Sequence, residues 1–141
     1  MHKIMGIDYG DARTGVAVSD LLCSIVGSTA VVPSRNTEKA IADIVRMAKE
    51  NEVGTIVVGL PRNMDGTRGE SAKRAEELAA KLEEMTGLPV KLWDERMTTV
   101  SAIGYLNQTD VRGKKRKQVV DTVAATIILQ DFLDSRKLRG N

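Results

Sequence analysis

Asp8, Asp94, Glu95 and Asp121 stand where a carboxylate is costly unless something holds it. Asp8 closes the apolar run Ile4-Met5-Gly6-Ile7, the pair Asp94-Glu95 closes another run at Trp93, and Asp121 lies inside the apolar helical pattern that opens at Val119. Burying an unpaired carboxylate is strongly unfavourable, so three such positions far apart in sequence point to one shared metal centre. Cys23 is the only cysteine and His2 the only histidine, which leaves a hard, all-oxygen donor set suited to Mg2+ or Mn2+ rather than zinc. Two such ions about 4 Å apart activate water and stabilise an in-line displacement at phosphorus. Phosphodiester hydrolysis is therefore the expected chemistry. No Ser-His-Asp arrangement competes, because His2 lies at the chain start.

Each acid also has a plainer reading. Asp8 precedes Gly10, whose missing side chain lets a phosphate or metal approach the backbone, but an aspartate at a strand end commonly caps a turn. Asp94 and Glu95 are adjacent, so in a strand they face opposite sides and only one can reach a given site. Asp121 is followed one turn later by Ala124 and Ala125, small enough to let the helix approach a sheet closely. Its alternative is a pairing with Lys117 worth a few tenths of a kcal/mol.

The net charge of +2 conceals an asymmetry, since residues 111–141 hold eight Lys and Arg against three Asp. Arg112, Lys114, Lys115, Arg116 and Lys117 form a candidate phosphate-contact run that could steer a polyanion; the alternative is a solvated helix end. A second candidate is the loop from Gly59 to Glu70, with glycines for tight turns and Arg62 and Arg68 for phosphates. It lacks the Lys-Ser/Thr ending of a P-loop, and its alternative is a connection with incidental arginines. With one Trp, one Phe and two Tyr, stacking platforms are scarce, so recognition of backbone and shape should dominate.

The elements that must position these groups follow from periodicity. Lys3 to Asp8 reads as a buried strand, Gly10 to Gly15 as a turn, Val16 to Ser19 as the returning strand and Ser28 to Val32 as a third strand. Asn36 or Thr37 caps a helix with Ile41, Ile44, Val45 and Ala48 on its apolar side. Thr55 to Leu60 is a strand buried on both faces; Ser71 caps a helix to Glu83, closed near Gly87; Val90 to Trp93 is a fifth strand. A short helix from Thr98 or Thr99 to Leu106 and a long one from Lys117 to Asp134 complete the order βββαβαβαα. This is an α/β chain with a mixed five-stranded sheet and helices on its faces. A right-handed crossover sets the fourth strand beside the first, and Asp8 and the Asp94-Glu95 pair then lie at the carboxyl ends where an open sheet forms its crevice.

At 141 residues the chain is expected to form a single domain spanning 1–141. A lone cysteine indicates a reducing setting, and no apolar run approaches ~20 residues, so a soluble cytoplasmic protein, monomer or homodimer, is expected.

Taken in order, four motifs resemble the YqgF/RuvX family of the ribonuclease H-like superfamily. They are Gly6-Ile7-Asp8-Tyr9-Gly10 with Arg13-Thr14-Gly15-Val16-Ala17 and Ser19-Asp20; Val58-Gly59-Leu60-Pro61 through Gly66; Asp94-Glu95-Arg96-Met97-Thr98-Thr99; and Lys115-Arg116-Lys117 leading to Asp121 and Ala124-Ala125. The resemblance spans nearly the whole chain. It implies a ribonuclease H-like fold, a nuclease role in maturing the 5′ end of pre-16S ribosomal RNA, and Asp8, Glu95 and Asp121 as the catalytic, metal-binding acids. Asp94 then falls to tethering Arg96 or the Thr98 and Thr99 hydroxyls. Gly10, Arg13 and Arg96, inside these motifs, join Arg62, Arg68 and the basic run as expected substrate contacts. One departure is the segment from Asn107 to Gly113, shorter than the family pattern, which bears on the substrate-facing loop and not on the acids.

Three other functions compete. Resolution of Holliday junctions uses the same chemistry on branched DNA. A binding module without catalysis would keep the basic run and idle the acids. Nucleotide binding is hinted at by Asp8-Tyr9-Gly10 before a Thr-Gly turn, as in actin-like ATPases, but 141 residues leave no room for the second lobe such a fold needs.

Overall fold

The computed structural model describes residues 2–60, 69–94 and 113–138, with side chains in the last stretch from 122 to 136. The expected short helix after Thr98, together with Arg62, Arg68, Glu95 and Arg96, lies outside these residues.

Eight elements follow in the order β1 (Lys3–Asp8), β2 (Arg13–Ser19), β3 (Val26–Pro33), α1 (Thr37–Glu50), β4 (Val53–Leu60), α2 (Glu70–Thr86), β5 (Val90–Asp94) and α3 (Gly113–Leu138). The five strands make one sheet in the order β3-β2-β1-β4-β5. β1, β2 and β3 form an antiparallel meander, while β4 and β5 run parallel to β1. The crossover through α1 carries the chain from β3 past β2 and sets β4 beside β1.

The sheet separates two cores. On one face Met5, Ile7, Val16, Ile56 and Val58 pack against Ala40, Ile41 and Ile44 of α1 and Ala72, Leu78 and Leu82 of α2. On the other, Ile4, Ala17 and Val57 pack against Ala125, Ile128, Leu129, Phe132 and Leu133 of α3. Both faces of β1 and β4 are thus buried, which explains their nearly unbroken apolar sequence.

Several element ends differ from the expected ones. β2 begins at Arg13 rather than Val16, because Thr14 and Gly15 remain extended and pair with Val32 and, for Gly15, with both Asp8 and Val31. Asn36, not Thr37, caps α1, its side chain accepting the Lys39 N–H at 3.1 Å. Ser71 caps nothing: α2 starts at Glu70 with Gly69 in the cap position and no side-chain capping bond. The Gly87 stop holds, with φ at +71° in the left-handed region that glycine adopts freely. α3 begins at Gly113, four residues before Lys117, so Lys114 to Lys117 of the basic run open the helix, while Arg112 lies outside the described residues.

Candidate active site

Asp8 faces α3. Along β1, Met5 and Ile7 enter the core under α1 and α2, while Ile4 enters the core under α3, so period-two alternation turns Gly6 and Asp8 to the α3 side. Gly15 pairs with Asp8 across β2; Gly59, one residue past the Ile7–Val58 pair, lies on the other side and pairs with Trp93. The row Gly15, Asp8, Gly59, Trp93 therefore places one half-buried carboxylate between two positions without side chains. Neither glycine adds a side chain to the face on which Asp8 stands. Trp93 ends this row, its ring edge-on to Phe132 of α3 with centroids 5.9 Å apart.

Asp94 stands on the opposite face. It pairs with Leu60, a member of the core under α1 and α2, while Trp93 packs on the α3 side. Of the adjacent acids, the structure thus sets Asp94 away from Asp8. The next residue, Glu95, lies outside the described residues.

α3 reaches the Asp8 end of the sheet through a contact on glycine. A Cβ on Gly6 would stand 2.8 Å from the Leu129 Cβ and 3.2 Å from the Ala125 carbonyl oxygen, so only glycine lets the helix lie this close. Toward the other end of the sheet, the Gln130 side chain accepts the Val26 N–H at 3.3 Å and donates to the Ser24 carbonyl at 3.1 Å. The helix thus runs from the Asp8 end toward the β2–β3 turn. Asp121, one turn before Ala125, has its backbone on the Asp8 side of the Gly6 contact.

The β1–β2 turn is held by two buried hydroxyls that the sequence reading did not single out. The Gly10 N–H donates to Thr14 Oγ1 at 3.4 Å, and Ser34 Oγ donates to the Gly10 carbonyl at 2.5 Å. The Ser34 N–H in turn donates to the Ala12 carbonyl at 3.0 Å. Thr14 and Ser34 are buried, and a hydroxyl there without a partner would be costly, so the turn and its anchors form together. A methyl on Gly10 would overlap the Arg13 carbonyl oxygen, which gives this glycine a steric role beside any approach of substrate. Arg13 lies on the α3 face, two residues from Gly15, and so shares a face and an edge with Asp8. Thr14 lies inside the glycine turn motif, whereas nothing local marks Ser34, whose partner Gly10 is 24 residues away.

Lys114, Lys115, Arg116 and Lys117 occupy the first turn or so of α3, which contains no acid. Cations at a helix N-terminus oppose the macrodipole, so helix stability does not account for them. Among the described residues no three His, Cys, Asp or Glu side chains gather into a metal-sized group, and Asp8 is the only one of the three expected acids whose side chain is described. Its carboxylate is a hard oxygen donor, the type that divalent cations such as Mg2+ and Mn2+ take.

A mixed sheet of this order, with a helix packed on the strand that ends in Asp8, is the ribonuclease H-like fold. The structure of RuvC from T. thermophilus in complex with Holliday junction substrate superposes with a TM-score of 0.56 at 14% identity, covering 97% of this chain and 96% of that one. The chain belongs to the RuvX family: residues 2–135 match the model described as RuvX, Holliday junction resolvase. A protein of Thermoanaerobacter pseudethanolicus named "Putative pre-16S rRNA nuclease" is 42% identical over 136 residues, covering 96% of this chain and 98% of its own length. One of the same name from Halothermothrix orenii is 43% identical over 139 residues, covering 98% and 99%.

Proposed function

We propose that this chain is a metal-dependent nuclease that hydrolyses phosphodiester bonds in the 5′-end processing of precursor 16S rRNA, in the cytoplasm. The observation that carries this reading is Asp8 on the α3 face, set between Gly15 and Gly59, with the helix that bears Asp121 drawn onto Gly6 beside it. Strand alternation sets Asp94 on the other face and so leaves Glu95 as the acid of that pair for the site. Asp8, Glu95 and Asp121 would hold Mg2+ or Mn2+. When bound, such an ion supplies an activated water and stabilises charge on the displaced oxygen.

The remaining work falls to the chain itself. Asp8 fixes one corner of the site from a strand whose position is set by two cores. The glycines on either side of Asp8 put no side chain in the path of the sugar-phosphate backbone. Arg13, Arg62, Arg68, Arg96 and the basic first turn of α3 hold phosphates on either side of the cut, neutralising charge without reading sequence. Among the described residues no helix is long and apolar enough to cross a membrane, which accords with a substrate met in solution.

Purified chain with Mg2+ or Mn2+ is expected to cut a precursor rRNA fragment, and Asp8→Asn to lose cutting while keeping its fold. Equal cutting by that variant would sink the assignment. A second reading, resolution of branched DNA, is favoured by the resolvase-like fold; it requires two copies of the chain on one junction. Side-by-side cleavage of a four-way DNA junction and the rRNA fragment separates the two. RNA binding without cleavage by either form would instead leave a binding module.

A further inference from the structure

Tyr9 directly follows Asp8 and turns to the other side of the sheet, where it lines a cleft of about 560 Å3 between α1 and α2. The buried lining is Ile41 of α1 and Leu78 of α2, with Ser34, whose hydroxyl is taken up by the Gly10 carbonyl. Tyr9 is only partly buried, and its hydroxyl lies 3.4 Å from Thr37 Oγ1 at the start of α1. The rim is exposed and charge-balanced: Arg35 and Lys81 match Glu38 and Glu77, while Arg74 is already bonded to Asp11.

A bare phosphate finds no surplus of positive charge here. A flat, neutral body with donors and acceptors along its edge fits better: an apolar floor and a tyrosine ring for its faces, carboxylates and cations for its edge. That is the chemistry of a nucleobase, and proteins that read single-stranded RNA hold splayed bases in this manner. Resting on the reading that Asp8 marks the cleavage site, we propose that this cleft takes one unstacked nucleobase of a single-stranded segment adjacent to the cut. The turn from Asp8 to Tyr9 carries the chain over the carboxyl edge of the sheet, so a strand with a phosphate over Asp8 presents its neighbouring base to the opposite side. Glu38 and Glu77 accept from exocyclic amino groups there, which favours bases that carry one.

Binding without cutting isolates this site. The Asp8→Asn chain is titrated with short single-stranded RNA oligonucleotides carrying 2-aminopurine at successive positions. Emission at one position is expected to respond differently from its neighbours. Tyr9→Leu should abolish that difference and weaken binding about tenfold, and, independently, Glu77→Met at the exposed rim, which removes the acceptor, should abolish the difference as well. A uniform response at all positions, or unchanged binding and emission in both variants, would overturn the proposal. Cleavage by the unsubstituted chain is measured in parallel. Cutting with a uniform response rejects the base site alone, whereas a position-specific response without cutting rejects the nuclease reading and keeps the base site.

Discussion

Gly6 and Leu129 meet so closely that a Cβ on the glycine would stand 2.8 Å from the leucine Cβ. This contact sets the height of α3 above the sheet, and therefore how far the helix carrying Asp121 stands from Asp8. Gly6→Ala must push the helix outward or shift the strand, because the Ala125 backbone, at 3.2 Å, has no rotamer with which to yield. Overpacking of this kind costs about 1–3 kcal/mol. Urea unfolding should show that loss. Cleavage should fall by more than the folded fraction explains, and a variant that is destabilised yet fully active when folded would show that the spacing does not matter to the site.

Asp8→Asn tests the acid itself. The side chain is half-buried at the end of β1, outside both cores, so the amide should be accommodated with little change in thermal midpoint. Loss of one hard anionic ligand should lower the cleavage rate at least about a hundredfold in Mg2+. Circular dichroism and single-turnover cleavage on the same preparation check both halves, and a large drop in midpoint would reassign Asp8 to a structural role.

Sequence made the scaffold legible where the signal is local: an unbroken apolar run, a helical apolar spacing or a glycine stop. The apolar run of β4, the helical spacing of Ile41, Ile44 and Val45, and the Gly87 stop all carry strong local signals. The ends of β2 and α2 were misplaced for a common reason. Gly15 is a weak strand former held extended by pairing to both neighbours, and Gly69 starts a helix without the capping side chain that Ser71 advertised. Within the site, alternation argued that Asp94 and Glu95 divide between two faces, and the register adds which face Asp94 takes. Gly6 as a seat for α3 and Ser34 as an anchor of the Gly10 turn were not legible, because each depends on a partner more than twenty residues away.

Trp93 offers a direct reporter of the site. It is the only tryptophan, it lies in the row of Asp8 one strand beyond Gly59, and its buried indole N–H has no acceptor among the described residues. An enclosed donor without a partner is sensitive to any polar group brought near it. Adding Mn2+ or Mg2+ to the unsubstituted chain should change the Trp93 emission. Asp8→Asn should remove the metal response while leaving a response to RNA. Identical metal titrations of the two proteins would separate Trp93 from the acid site.

Asp131 makes stability fall as pH rises. Burial on α3 raises its carboxyl above the ordinary value, and the neighbouring Asp134 adds to the effect. The folded chain therefore holds this proton more tightly than the unfolded chain. Stability is highest while Asp131 is protonated in both states and declines as pH climbs from the ordinary carboxylate range through the raised value. Asp131→Asn removes the charge that burial penalises. Its thermal midpoint should exceed that of the unsubstituted chain at pH 7, and the gap should close below about pH 3, where the carboxyl is neutral whether folded or not. Asp134→Asn should give a smaller gain of the same sign, since it relieves only the lesser cause and also alters the acceptor of the Gln130 amide, 3.1 Å away. Equal midpoints for Asp131→Asn and the unsubstituted chain at pH 7 would show that α3 bears no such penalty.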